Sequence, residues 1–478
     1  MVFSSVTFLF GFLPLVLLAY GLMPKPGKNL LLLMASLLFY AWGELEYVAI
    51  MLVSILINYG AGIWIEMVEE RRVRLFRLWV GLTGNLVLLM YFKYANFLAD
   101  NADVVLAAAG MPTIRLGPVH LPLGISFFTF QAMSYVVDVY RGQVKAQRRF
   151  VDIALYISLF PQLIAGPIVR YHDIAAQIVK RVVTLDLFAS GVRLFIIGLG
   201  KKMLIANTLG EQSDLIFGLP GDELSAAIAW QGIIYAVLQL YFDFSGYSDM
   251  AIGLGRMFGF QFNINFNYPY ISKSLTEFWQ RWHISLSTWF RDYLFTPLGG
   301  YRCSRKRAYA NLMIVFILCG MWHGATWNFF FFGAYQSVFL VIERMVRIKR
   351  IALFQTWFGH VYLIFIVLTT MVFFWTDDLV HAGKFYRAMF GFGTAPGGLH
   401  VPGAYFNGEI LVVLVAALLG STPWLVKIGE WLEGKEKGRP VVSVARQAGI
   451  LVALGAILLF CMMKLAAGTH NPFIYFRF

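Results

Sequence analysis

Two histidines in apolar surroundings are the residues of this chain best suited to chemistry. His323 lies in Cys319-Gly320-Met321-Trp322-His323-Gly324-Ala325-Thr326-Trp327-Asn328, and His283 lies in Trp279-Gln280-Arg281-Trp282-His283-Ile284-Ser285. Each follows a tryptophan. A neutral imidazole can take a proton from a hydroxyl as that oxygen attacks a carbonyl, and removal from water keeps the ring neutral. That chemistry suits acyl transfer. The competing reading for each is a structural histidine bonded to a carbonyl or to a neighbouring helix. Two carboxylates, Asp243 and Asp249, are embedded in the apolar run Tyr241-Phe242-Asp243-Phe244-Ser245-Gly246-Tyr247-Ser248-Asp249. Either could orient a histidine or shape a polar cavity; the alternatives are helix capping and bonding between helices. Gly-x-Ser-x-Gly, His-Glu-x-x-His and Walker A patterns do not accompany the histidines. Cys303, Cys319 and Cys461 are far apart and lack metal-ligand spacing, so neither a disulfide framework nor a zinc site is indicated; no tightly bound cofactor is expected.

The elements that must carry these histidines differ. Ala308 to Ile342 contains no Asp, Glu, Lys or Arg, a run well beyond the roughly 20 apolar residues of one crossing. Basic clusters precede it (Arg302, Arg305, Lys306, Arg307) and follow it (Arg344, Arg347, Lys349, Arg350). The positive-inside rule puts both ends in the cytoplasm. The run is therefore two crossings or a deep hairpin, with His323 where it turns and with Gly320 and Gly324 permitting close approach of another backbone or a substrate. Around His283, projection of Ser274 to Leu294 at 100° per residue gathers Trp279, Trp282, His283, Leu286, Trp289, Phe290 and Tyr293 on one side, opposite Arg281, Ser285, Thr288 and Asp292. The pattern predicts one amphipathic helix that does not cross. Ser274 and Glu277 have the spacing of a capping box at its start.

The rest of the chain is a scaffold in lipid. It is 59% hydrophobic, 17% aromatic and 14% charged over 478 residues, against about 25% charged in soluble proteins. Apolar segments recur to the C-terminus, so the chain reads as a single integral membrane domain over residues 1–478, all-α and polytopic. The formal net charge of +13 sits in short basic clusters between apolar segments, as loops on the cytoplasmic face do, which excludes a nucleic-acid reading. The N-terminus lacks the basic region of a cleavable signal. Alternation of charge predicts crossings near 5–22, 29–42, 46–66, 79–99, 121–140, 186–208, 226–260, 352–375, 407–425 and 444–466, with both termini outside. Residues 151–168 break the alternation, because basic residues flank both ends. With Pro161 and Pro167, they predict a re-entrant segment whose irregular backbone is buried in protein or lines a cavity.

The runs Glu277 to Ser287, Met321 to Ala325 and Tyr241 to Asp249, with Tyr91 to Phe97, Leu123 to Phe127 and Pro472 to Phe478, resemble the membrane-bound O-acyltransferase family over nearly the whole chain. The resemblance implies about 10–12 transmembrane helices, with re-entrant and interfacial helices, around a central tunnel. It implies that His323 is the catalytic histidine and His283 the second, with Trp282, Trp322 and Asn328 joining Asp243 and Asp249 as supporting or tunnel-lining candidates. It further implies transfer of acetyl groups from acetyl-CoA in the cytoplasm, across a bacterial inner membrane, to periplasmic acetyltransferase partner proteins that modify a secreted polysaccharide. Within the family the resemblance is to members that acetylate alginate. Departures around Trp327 to Phe332, and a shorter chain, leave cellulose or another exopolysaccharide open. A transporter of an acylated carrier is the competing class, and transfer of another acyl group such as D-alanine is a third reading.

Overall fold

The computed structural model describes residues 1–221, 223–393, 401–436 and 440–468. Asp222 and the Pro472 to Phe478 motif lie outside them. The described residues form helices and no strand. Among them Lys25–Glu66, Arg71–Ala108, Ala226–Met257, Trp357–Trp375 and Ser443–Ala466 are each long and apolar enough to cross a membrane. Gly408–Gly420 and Trp424–Gly434, bent by 62°, form a broken span or a re-entrant loop. The first stretch holds two helices, Lys28–Glu44 and Val48–Glu66, about 25 and 28 Å long at 1.5 Å per residue. Large apolar side chains such as Leu15, Leu18, Leu38, Leu56, Trp79 and Val87 face outward. Such a surface is costly in water and favourable against lipid. The protein is an all-α, multi-pass membrane protein.

The chain forms two compact units, one of residues Met1–Val192, Ala251–Asn263 and Thr288–Pro297, the other of Arg193–Met250, Ile264–Ser287 and Leu298–Phe478. In the first, the buried amides of Asn58 and Asn85 bond each other reciprocally at 2.9 Å and join helix Val48–Glu66 to Arg71–Leu89. The proline-bearing segment is broken as expected. Phe150–Ser158 is a nine-residue helix, about 13 Å long and too short to cross. A single turn, Phe160–Leu163, follows it. Residues 152–169 are buried, and the freed backbone finds side-chain partners: Gln162 Nε2 donates to the Tyr156 carbonyl at 2.7 Å and Tyr156 OH to the Val169 carbonyl at 2.9 Å. Irregular backbone at depth requires such internal partners.

The second unit holds every candidate site residue. Ala226–Met257 runs unbroken for 32 residues through Asp243 and Asp249. Both aspartates are therefore inside a helix, and the capping alternative fails. The charge-free run is two 19-residue helices, Arg305–His323 and Trp327–Met345, packed antiparallel so that Gly320 meets Phe329 and Gly333, and Gly333 meets Phe316. A Cβ at either glycine would collide with backbone of the other helix, so the glycines serve the helix pair rather than a substrate. Gly324 accommodates the Phe329 ring.

Candidate active site

His323 is the last residue of its helix, and the next residue, Gly324, is already extended with φ −164° and ψ 151°. The turn Gly324-Ala325-Thr326 leads directly into Trp327–Met345. The imidazole is thus fixed at the hairpin tip, 8% exposed.

His283 reaches the same place from a break. The expected single amphipathic helix is two short ones, Leu275–Arg281 and Ile284–Phe290, separated by Trp282 and His283. His283 has φ 44°, a left-handed conformation that a β-carbon disfavours. Nearby groups compensate the broken ladder. Asn267 N donates to the Arg281 carbonyl and Ile284 N to the Asn265 carbonyl, both at 2.9 Å. Asn265 Oδ1 accepts from Ser285 N and Oγ, while Asn265 Nδ2 donates to Ser248 Oγ at 3.0 Å. Helical periodicity cannot reveal this, because the partners come from an irregular segment. At the helix start Ser274 caps through Glu277 N as expected, but Glu277 accepts from Lys273 N rather than Ser274 N. Buried Glu343 supplies the stronger cap, accepting from Leu275 N, Thr276 N and Thr276 Oγ1 at 2.6–2.9 Å. It thereby ties the His283 segment to the hairpin. Its sequence signal is slight: it is the first acid after the charge-free run.

The two imidazoles line one cavity of about 10 Å³, walled by Trp282, Phe244, Phe332, Met371 and Phe374. That is about the room one water needs. Trp322 sits edge-on to both rings, with centroids 5.0 Å from His323 and 6.2 Å from His283. Phe244 meets His283 at 4.6 Å. His283 is fully buried, its Nδ1 is 3.5 Å from Ser285 Oγ, and its Nε2 has no hydrogen-bond partner among the described residues. Burial first, and then His323, hold its pKa well below the ordinary 6.5, so it is neutral at physiological pH. A buried, neutral imidazole with an open nitrogen can accept a proton or a hydrogen bond from a reacting group.

The supporting candidates divide. Trp282 and Trp322 are at the histidines. Asp243 forms a buried ion pair with Lys202 at 2.6 Å, and Asp249 pairs with Lys201 at 2.7 Å. The lysines occupy a π-helical turn, Lys201–Ala206, and their adjacency in an apolar run was the available sequence signal. Asn328 does not line the histidine cavity; its Nδ2 donates to the Thr376 carbonyl at 2.6 Å, joining the start of one helix to the end of Trp357–Trp375.

Residues 145–377 match the membrane-bound O-acyltransferase family. Over all of both chains the sequence is 39% identical to a probable alginate O-acetylase, AlgI, of Azotobacter vinelandii. It is 36% identical to a peptidoglycan O-acetyltransferase of Helicobacter pylori, over 72% of this chain and 70% of that one. It is 31% identical to a teichoic acid D-alanyltransferase of Bacillus subtilis, over 46% of this chain and 58% of that one.

Proposed function

The chain belongs to the membrane-bound O-acyltransferase family, and from that premise we propose that it takes acetyl groups from cytoplasmic acetyl-CoA and passes them across a bacterial inner membrane for O-acetylation of a secreted polysaccharide, alginate. The convergence of His283 and His323 on one small cavity with aromatic and aliphatic walls carries the reading. His323 acts as base. As an acceptor hydroxyl attacks the thioester carbonyl, the imidazole takes its proton; the C–O bond forms, the C–S bond breaks, and the departing thiolate receives the proton. Neutral His283 holds the reacting group beside it. The donor is favoured by a cavity of about 700 Å³ at the other end of the hairpin, lined by Arg305, Arg344, Arg347, Lys349 and Arg350, because guanidinium and ammonium groups suit phosphates. The end-to-end match to the alginate O-acetylase favours alginate; delivery through periplasmic acetyltransferase partner proteins is part of the same proposal.

Replacing His323 with Ala should remove acetyl from the secreted polymer while protein level and polymer secretion hold. Wild-type acetyl content in that variant would overturn the reading. A transporter without acyl chemistry would release no CoA from labelled acetyl-CoA and gain no label. The match to the peptidoglycan O-acetyltransferase favours, as a second reading, another polysaccharide acceptor for the same reaction. Acetyl analysis of each surface polymer in the His323→Ala strain separates the two.

A further inference from the structure

We propose that the phenyl ring of Phe374 is a gate between His323 and an acceptor pocket at the hairpin tip, and that this pocket takes a hydroxyl on a group bearing no phosphate or carboxylate. The inference rests on the acyl-transfer reading. The pocket has a volume of about 460 Å³ and is lined by Asp214, Thr326, Trp375, Thr376, Asp377 and His381, with Phe329 and Phe374. Among the described residues, Phe374 is the one side chain that lines both this pocket and the histidine cavity. Its ring lies 5.4 Å from the His323 ring and 5.1 Å, edge-on, from Phe329. Phe329 in turn faces His323 at 6.5 Å. One aromatic layer therefore separates the base, in its cavity of about 10 Å³, from a space of about 460 Å³. A cavity of about 10 Å³ cannot admit an acetyl group beside an acceptor oxygen, so the wall must move for reaction, and closing it otherwise keeps water from the thioester.

Charge sorts the two large cavities. The basic one at the far end of the hairpin suits a phosphate-bearing donor. The tip pocket carries Asp214 and Asp377, with His381 as its one basic side chain, and carboxylates repel a polyanion. Its other groups suit hydroxyls. The Thr326 and Thr376 hydroxyls both donate and accept. Trp375, 8% exposed, lines the pocket, and its buried Nε1–H has no partner among the described residues. Phe217 and Trp375 add apolar faces.

The test is thiol labelling, which needs no turnover. In the full-length protein with Cys303, Cys319 and Cys461 replaced by Ala, single cysteines are placed as Thr326→Cys, His323→Cys and, as a buried control, Thr370→Cys. With a small neutral thiosulfonate, Thr326→Cys should react about tenfold faster than His323→Cys, and adding Phe374→Ala should bring His323→Cys within about threefold of it. Phe374→Leu should give an intermediate rate. No effect of Phe374→Ala, or an equal rise at Thr370→Cys through general loosening, would overturn the gate. For the pocket's occupant, mannitol should slow labelling of Thr326→Cys about twofold or more, and glucuronate at the same concentration should not. Equal protection by glucuronate would overturn the charge argument and point to a polyuronate entering directly. Because labelling is independent of acetylation, the gate can fail while His323→Ala still abolishes acetyl transfer, and the reverse.

Discussion

His283 occupies a left-handed backbone conformation with φ 44°, which costs of order 1 kcal/mol or more for a side chain of this size. Such strain persists only where surrounding contacts hold it, and here Asn265, Asn267 and Ser285 do so. Asparagine tolerates this conformation, but its shorter amide does not carry an acceptor to the position of the imidazole Nε2 that holds the reacting group. His283→Asn should therefore keep protein level and thermal stability while acetyl transfer falls by about 10²-fold or more; a merely structural histidine would leave transfer near wild type. The lowered pKa sets the sign of a second effect. Below about 6.5 the unfolded chain binds a proton at this site that the folded chain refuses, so this stability is fully present above that pH and declines as pH falls through it. Thermal unfolding in detergent at about pH 5 and about pH 8 should show that slope flattened in His283→Asn. The identity of both histidines was legible from residue type and apolar context. The strain at His283 was not, because it depends on hydrogen bonds from residues 265–267.

At the scale of elements, the hairpin sets the height of His323. Two 19-residue helices place it about 27 Å along the axis from Arg305, close to the thickness of a hydrocarbon core. Their close approach relies on Gly320 and Gly333. Gly320→Ala, whose new methyl would meet the Phe329 carbonyl, should lower stability by about 1–3 kcal/mol and reduce acetyl transfer by shifting the tip. Gly455→Ala, with nothing within 4 Å, is the control and should be neutral or slightly stabilising. Unchanged melting and activity in Gly320→Ala would show that the pair tolerates separation. The need for a bend was readable from a charge-free run too long for one crossing. The tip geometry was not, because Asn328 looked like a site residue beside His323 and is instead bonded to Thr376.

For the whole molecule, the antiparallel hairpin brings the clusters around Arg305 and Arg344 to the same end, as positive-inside placement expects. Impermeant thiol reagents should thus label Arg307→Cys from the cytoplasmic side and Asp377→Cys from the periplasmic side; labelling of both from one side would invert or collapse the proposed topology. Sequence alone determined the solvent of this protein, its helical class, its family resemblance and the two imidazoles, because hydrophobic run length, charge placement and unusual local motifs are properties of neighbouring residues. Tertiary structure decided which helices are broken, which lysine each aspartate meets, and that His283 and His323 share one cavity walled by Phe374. Those outcomes rest on contacts between residues tens of positions apart, such as Asp243 with Lys202 and His323 with Phe374, and close packing fixes them in a way that local periodicity does not encode.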